Sequence, residues 1–184
     1  VVTVNPSINS NTSITNNNCF ESKDGMISTN INGGIPFETE DPYLISWFGP
    51  NGFTSSDATI INLEAGLYIL EIEDKEGYSI REELTVTQPT LLTISKDIEQ
   101  NISCFKGSDG AIEVTVSGGT LPYKYNWTTT DGSGIIQSAQ NQNGLTAGDY
   151  SLEITDKNSC IQTSNFILTE PEALKIVTTF KQDV

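Results

Sequence analysis

The sequence predicts an all-β protein made of two tandem antiparallel β-sandwich modules, joined by a short Pro-containing linker. Three observations carry that prediction. Thr, Ser and Asn number 22, 18 and 16 and fill 56 of the 184 positions; their side chains compete with helical backbone hydrogen bonds and suit strands and polar turns instead. A repeat of about 82 residues runs through the chain. Within each copy, apolar and polar residues alternate over short runs, which is the period of a strand with one buried face.

The repeat is plain at the residue level. Leu63-Glu-Ala-Gly-Leu-Tyr-Ile-Leu-Glu-Ile-Glu-Asp-Lys75 matches Leu145-Thr-Ala-Gly-Asp-Tyr-Ser-Leu-Glu-Ile-Thr-Asp-Lys157 at nine of thirteen positions, offset by 82. Upstream, Cys19-Phe20, Asp24-Gly25 and Gly33-Gly34 pair with Cys104-Phe105, Asp109-Gly110 and Gly118-Gly119 at an offset of 85, and Trp47 pairs with Trp127 at 80. The drift places small insertions and deletions between Gly34 and Leu63, where loops tolerate them. Val4-Asn5-Pro6, Thr87-Gln88-Pro89 and Thr169-Glu170-Pro171 mark the joints, and Pro, with its fixed φ, makes each one short and stiff. The expected modules are therefore 1–88 and 89–184. Residues 1–6 read as the tail strand of a preceding repeat and 172–184 as the first strand of a following one.

The second module is the clearer copy. Its first strand is expected at 91–95 and its second at 111–116, with Ile112, Val114 and Val116 on one face and Glu113 and Thr115 on the other. Gly118-Gly119 ends that strand. A third, at 123–128, sets Tyr123, Tyr125 and Trp127 on one side, and a weaker one is expected at 135–140. Leu145-x-x-Gly148-x-Tyr150 opens the next strand with Tyr150, Leu152 and Ile154 inward, and 160–169 forms the last. In the first module Ile27, Thr29 and Ile31, and Tyr68, Leu70 and Ile72, are the corresponding inward sets.

Composition excludes several functions. The net charge is −15, with 24 acidic residues against 9 basic ones and a single Arg, Arg81. A nucleic-acid backbone or an anionic membrane surface needs the opposite sign. No apolar run approaches the 18 residues of a membrane span, so no membrane insertion is expected. His is absent, which removes the commonest general base, the Ser/His/Asp constellation and the commonest zinc ligand. Phosphate loops and dinucleotide fingerprints are missing as well. The chain is expected not to be an enzyme and to carry no cofactor. Calcium, at Asp24, Asp109, Asp74, Glu76 or Asp156, is the one metal the composition offers, although turn chemistry accounts for the same residues.

The Leu-x-x-Gly-x-Tyr step is similar to the tyrosine corner of immunoglobulin-like sandwiches, which also bury a Trp on their central strand. Tyr68, Tyr150, Trp47 and Trp127 are accordingly expected in the core; the competing reading makes the two Trp residues sugar-stacking platforms. Tyr43, Phe48 and Phe53 lack regular counterparts in the second module and offer a patch specific to the first. Four strand passes are expected between Cys104 and Cys160, an even number that returns the chain to the same end. A Cys104–Cys160 disulfide is one reading of that parity, and two separate buried thiols the other. Tyr78 holds the place of Cys160 in the first module, so Cys19 is expected to be unpaired within its module, either a small buried side chain or half of an intermolecular bridge.

Gly118-Gly-Thr-Leu-Pro122-Tyr-Lys-Tyr-Asn-Trp127, Leu145-Thr-Ala-Gly-Asp-Tyr150 through Asp156 to Cys160, and Thr169-Glu-Pro171 closely resemble the SprB-type repeat of gliding-motility cell-surface adhesins. The first module keeps the order as Gly34-Ile-Pro36-Phe, Trp47, Leu63-Glu-Ala-Gly-Leu-Tyr68 and Asp74, with Phe37 for the usual Tyr and no second Cys. The layout is also similar to polycystic-kidney-disease-type sandwiches. The resemblance implies an extracellular repeat on a bacterial cell surface, exported by type IX secretion. It implies a role as extended stalk or filament in adhesion and gliding, with neighbouring repeats and surface polysaccharide as partners. The alternative is a carbohydrate-binding or spacer module of a secreted multidomain protein. The resemblance supplies no catalytic residues.

Overall fold

A computed structural model of the chain describes residues 6–177. The chain divides into two compact units, Val1–Thr90 and Leu91–Val184, each described here by itself. The tail strand expected over 1–6 lies outside the described residues except for Pro6, which is in no strand. Of the segment 172–184, residues 172–177 form no strand and the rest lie outside the described residues.

Unit one contains strands β1 (Asn9–Thr15), β2 (Gly25–Asn32), β3 (Leu44–Phe48), β4 (Thr54–Ser55), β5 (Thr59–Leu63), β6 (Gly66–Glu73) and β7 (Ser79–Val86), with one 3-10 turn at Pro50–Gly52. They form two antiparallel sheets, β1-β2-β5 and β4-β3-β6-β7. The alternation in β6 buries Tyr68, Leu70 and Ile72 and leaves Glu71 and Glu73 in water. Ile27, Ile60 and Leu63 from the first sheet close on Trp47, Tyr68, Leu70, Ile72 and Val86 from the second. Two sheets with one shared apolar interior make an immunoglobulin-like sandwich.

Unit two repeats the plan with β8 (Thr93–Gln100), β9 (Gly110–Ser117), β10 (Lys124–Thr129), β11 (Gln142–Leu145), β12 (Gly148–Thr155) and β13 (Ile161–Leu168). Its sheets are β11-β9-β8 and β10-β12-β13. Ile112, Val114 and Leu145 meet Trp127, Tyr150, Leu152, Ile154, Phe166 and Leu168. The first strand runs further than its apolar pattern, to Gln100, because β9 continues to pair with it as far as Ala111.

The duplication reaches into the backbone. Glu21 and Lys106 share φ values of 56° and 57°, and Gly33 and Gly118 share 77°. At Gly118 a Cβ would stand 1.9 Å from the Leu91 carbonyl oxygen, and at Gly33 2.1 Å from that of Ser7. The Gly-Gly pair thus serves close passage of the incoming chain as well as the turn.

One expected element is replaced. Residues 135–140 form no strand. Instead the buried Gln142 side chain gathers them into a loop: its Nε2 donates to the Ile136 oxygen (2.8 Å) and its Oε1 accepts from the Ile136 nitrogen (2.7 Å). The chain then returns along β9 as β11, with Leu145 opposite Gly110. A single pass was expected there; the chain makes an outward and a return leg.

Candidate functional site

Two large side chains, a Trp and a Tyr, are duplicated in the core of each sandwich. Trp47 and Trp127 are buried to 0% and 1% exposure, and their Nε1 groups donate to the carbonyls of Asp57 (2.9 Å) and Ala139 (2.8 Å). Neither indole offers a face to a sugar. Tyr68 donates its hydroxyl to the Glu64 carbonyl at 3.0 Å, and Tyr150 to that of Thr146 at 2.7 Å, four residues upstream in both cases. Burial, then the charge of Glu64, raises the Tyr68 phenol above its ordinary value. Tyr43 and Tyr123 donate to the Gly33 and Gly118 carbonyls. Tyr43 is therefore the counterpart of Tyr123, which corrects both its reading as specific to the first module and the pairing of Phe37 with that position. Residues 37–41 are the insertion that hid the match, closed by Phe37 N–H donating to the Pro42 oxygen at 2.8 Å.

Asp74 and Asp156 sit buried where β6 and β12 end. Asp74 accepts from the backbone nitrogens of Ile35, Glu76 and Tyr78, each at 3.0 Å. Asp156 accepts from Thr120 (2.8 Å), Asn158 (2.8 Å) and Cys160 (2.9 Å). Each carboxylate ties its hairpin turn to the loop after the Gly-Gly pair. Burial alone would raise the Asp74 carboxyl, but the N–H groups of Ile35, Tyr78, Glu76 and Gly77 hold it below its ordinary value. At the opposite end Asp24 is lowered by the Ser22 hydroxyl first and Asp109 by the Ser103 hydroxyl first. Their oxygens close the loops that precede β2 and β9, accepting from the backbone nitrogens of Asn18 and Ser103. Among the described residues no three carboxylate or thiol groups converge as a metal site would require. Signals for these staples were present at offsets 82 and 85, and sequence reasoning weighed them as turn residues or as calcium ligands.

The cysteines require a correction. Cys104 is a free, exposed thiol, so the Cys104–Cys160 bond is not made. The physical reason is the extra leg ahead of β12. Five traverses separate the two residues, an odd number, which puts Cys160 at the far end of the unit beside Asp156 and Thr120. Cys104 stays at the near end, where the adjacent Lys106 N–H donates to Glu170. Cys19 is disulfide-bonded, so it is not the free buried side chain of the first reading.

Of the remaining aromatic candidates, Phe53 packs edge-on against Tyr68 with ring centroids 5.6 Å apart, while Phe48 is 45% exposed. They form no stacking platform together with Tyr43. Unit one instead has an open cleft of about 570 Å³ where the edge of β2 meets β3 and the loop ahead of β5. Thr29, an inward residue of β2 at 7% exposure, lines it, and its Oγ1 has no hydrogen-bond partner. Asp41 and Asp57 stand at the rim, with Tyr43 and Ile45 along the wall. The equivalent space in unit two is filled. There Gln140 Nε2 donates to the Val114 carbonyl at 2.7 Å, and Tyr125 donates to Gln140 Oε1 at 3.2 Å. Unit one has Thr29, Ile45 and Ala58 in place of Val114, Tyr125 and Gln140. Sequence reasoning missed this cleft; the signal was a Thr where the other copy has Val on an inward face.

Among the described residues no helix is long and apolar enough to cross a membrane. The decoration protein of Escherichia phage T5 is 36% identical over 70 residues, which cover 35% of this chain and 43% of that protein. Among solved structures, the three N-terminal domains of the bacteriophage RB49 highly immunogenic outer capsid protein align at a TM-score of 0.47 and 16% identity, covering 90% of this chain and 59% of that one. The mouse nectin-like molecule 4 ectodomain aligns at 0.42 and 14%, covering 94% and 66%. This chain spans less than two thirds of each of these proteins. Residues 98–132, from the last residues of β8 to the turn after β10, hold Cys104-Phe105, Asp109-Gly110, Gly118-Gly119 and Trp127 and match the SprB repeat.

Proposed function

We propose that the chain is a non-catalytic repeat segment of a large secreted adhesin on a bacterial cell surface, acting as extended stalk or filament in adhesion and gliding. One observation supports this most: the chain enters each unit at one end and leaves at the other. In unit two it enters against Gly118, beside the Leu91 carbonyl, and leaves where Ile102 N–H donates to the Thr169 oxygen at 2.9 Å. Those contacts lie at opposite ends of β9. Unit one does the same, with Gly34 N–H donating to Pro6 and Asn17 N–H to Thr87. Modules with opposed termini suit head-to-tail addition of further copies, so neighbouring repeats of the same chain are the proposed partners.

The SprB match over 98–132 supports the cell-surface setting, and a relative described as a decoration protein fits a surface-exposed module. The net charge of −15 favours a solvated array that repels itself; neither nucleic acid nor membrane insertion belongs to this reading. The carboxylates that close turns accept from backbone N–H groups and, at Asp24, from the Ser22 hydroxyl, which supports a structural role for them. The reading assigns the chain no cofactor. Small-angle scattering of the chain tests it. The maximum dimension is expected near the summed lengths of two modules, and a profile of one compact globule would refute the stalk.

A further inference from the structure

We propose that the open cleft of unit one binds a neutral carbohydrate, one pyranose residue of a polysaccharide. The proposal deepens the adhesive reading and rests on it. Its volume, about 570 Å³, lies within the ~300–1,000 Å³ of small-molecule sites. Thr29 lines it, and the buried Thr29 hydroxyl has no hydrogen-bond partner, whereas buried polar groups in native proteins nearly always find one. A sugar hydroxyl both donates and accepts, so it suits Thr29 whichever way the threonine proton turns.

The rim narrows the ligand class. Asp41 and Asp57 are exposed acceptors, and none of the lining residues is basic. An anion therefore has nothing to hold it. An organic cation would favour a desolvated carboxylate or an aromatic cage, whereas these carboxylates are in water and the one buried group is neutral. Exposed carboxylates accept from sugar hydroxyls, and Ile45 with the Tyr43 ring supplies an apolar wall for the C–H face of a pyranose. Tyr43 is held in place by its bond to Gly33, 2.7 Å. The contrast within the chain is the strongest argument: the second copy closes the same space with its own Gln140 amide and Tyr125 hydroxyl. A side-chain amide and a phenol are the kinds of polar group a bound sugar would replace.

The test is titration of the whole ¹⁵N-labelled chain with methyl β-D-glucopyranoside, methyl α-D-mannopyranoside and methyl β-D-galactopyranoside, with choline and inorganic phosphate as charged controls. At least one pyranoside should shift the amides of residues 29–31, 43–45 and 56–58 and leave 114–116 and 138–140 unmoved. Ala58→Gln, which installs the plug of unit two, should weaken that binding at least tenfold. Thr29→Val, which installs its apolar residue, should weaken it severalfold. The Trp47 indole resonance shows whether each variant is folded. The proposal is overturned if no pyranoside binds, if both units respond alike, or if only choline or phosphate binds. Loss of sugar binding leaves the scattering profile unchanged, so failure here is distinct from failure of the stalk reading.

Discussion

The two tyrosine corners differ in a way that stability measurements should resolve. Tyr68 Oη makes one bond, to the Glu64 carbonyl at 3.0 Å. Tyr150 Oη lies 2.7 Å from the Thr146 carbonyl and 3.0 Å from that of Ser133, and it accepts from the Ser133 nitrogen at 3.2 Å. A hydroxyl has one proton, so Tyr150 donates once and accepts once at any moment: two bonds against one. Tyr→Phe keeps both rings in place, including the Tyr68 edge contact with Phe53, and deletes only those bonds. At about 1 kcal/mol for each net hydrogen bond, Tyr68→Phe should cost unit one about 1 kcal/mol. Tyr150→Phe should cost unit two about 2 kcal/mol. The difference, about 1 kcal/mol, corresponds to roughly 4–8 °C in Tm for a domain of this size. Each unit carries one Trp whose indole N–H is bonded to its own backbone. The two indole resonances in a ¹H–¹⁵N spectrum therefore follow the two units separately through a urea or thermal titration of the intact chain. Equal losses in the two variants, or a larger loss in Tyr68→Phe, would refute the reasoning.

Two further outcomes follow from the polar groups at the unit ends. Iodoacetamide without reductant should label Cys104 alone, because it is the exposed free thiol and the other two cysteines are disulfide-bonded; reduction in denaturant should then make Cys19 and Cys160 reactive as well. Peptide mapping that finds Cys104 protected overturns this. Stability should also fall in acid. The folded Asp74, Asp24 and Asp109 carboxyls lie below their ordinary value of 3.8, so the folded state binds fewer protons there than the unfolded chain. Their contribution is complete above about pH 4 and is lost as the pH falls through the depressed values. Urea midpoints measured from pH 6 downward should hold and then drop below that point, and a flat profile would exclude the carboxylate staples.

The repeat, the strand faces and the four large core side chains were legible in the sequence because period-two alternation reports burial directly. Tyr68, Leu70 and Ile72, and Tyr150, Leu152 and Ile154, stand inward on β6 and β12. What could not be read was the path between β10 and β12. Residues 135–140 have a strand-like composition, but a buried amide at Gln142 competes with sheet pairing by bonding the loop backbone. Local propensity carries no information about that bond. The miscount of one traverse then moved Cys160 to the wrong end, so a local error became a wrong long-range pairing. Tyr43 was hidden for another reason: the insertion at 37–41 displaced it from register, and its bond to Gly33, matching that of Tyr123 to Gly118, reveals the equivalence.

The copies agree and differ in separate places, and that separation bears on function. At the unit ends nearly every polar contact is doubled. Asn16 and Asn101 accept from Thr87 and Thr169, Asn17 and Ile102 donate to the same two residues, and Asp74 and Asp156 each staple a turn. These contacts fix where the chain enters and leaves, which any tandem array must keep constant. Along the side, between β2 and β3, the copies diverge: Thr29, Ile45 and Ala58 stand against Val114, Tyr125 and Gln140. A side edge is free to vary because no joint depends on it. In an array of such modules, stiffness and register would reside in the shared ends, and recognition in whichever copies leave the side open.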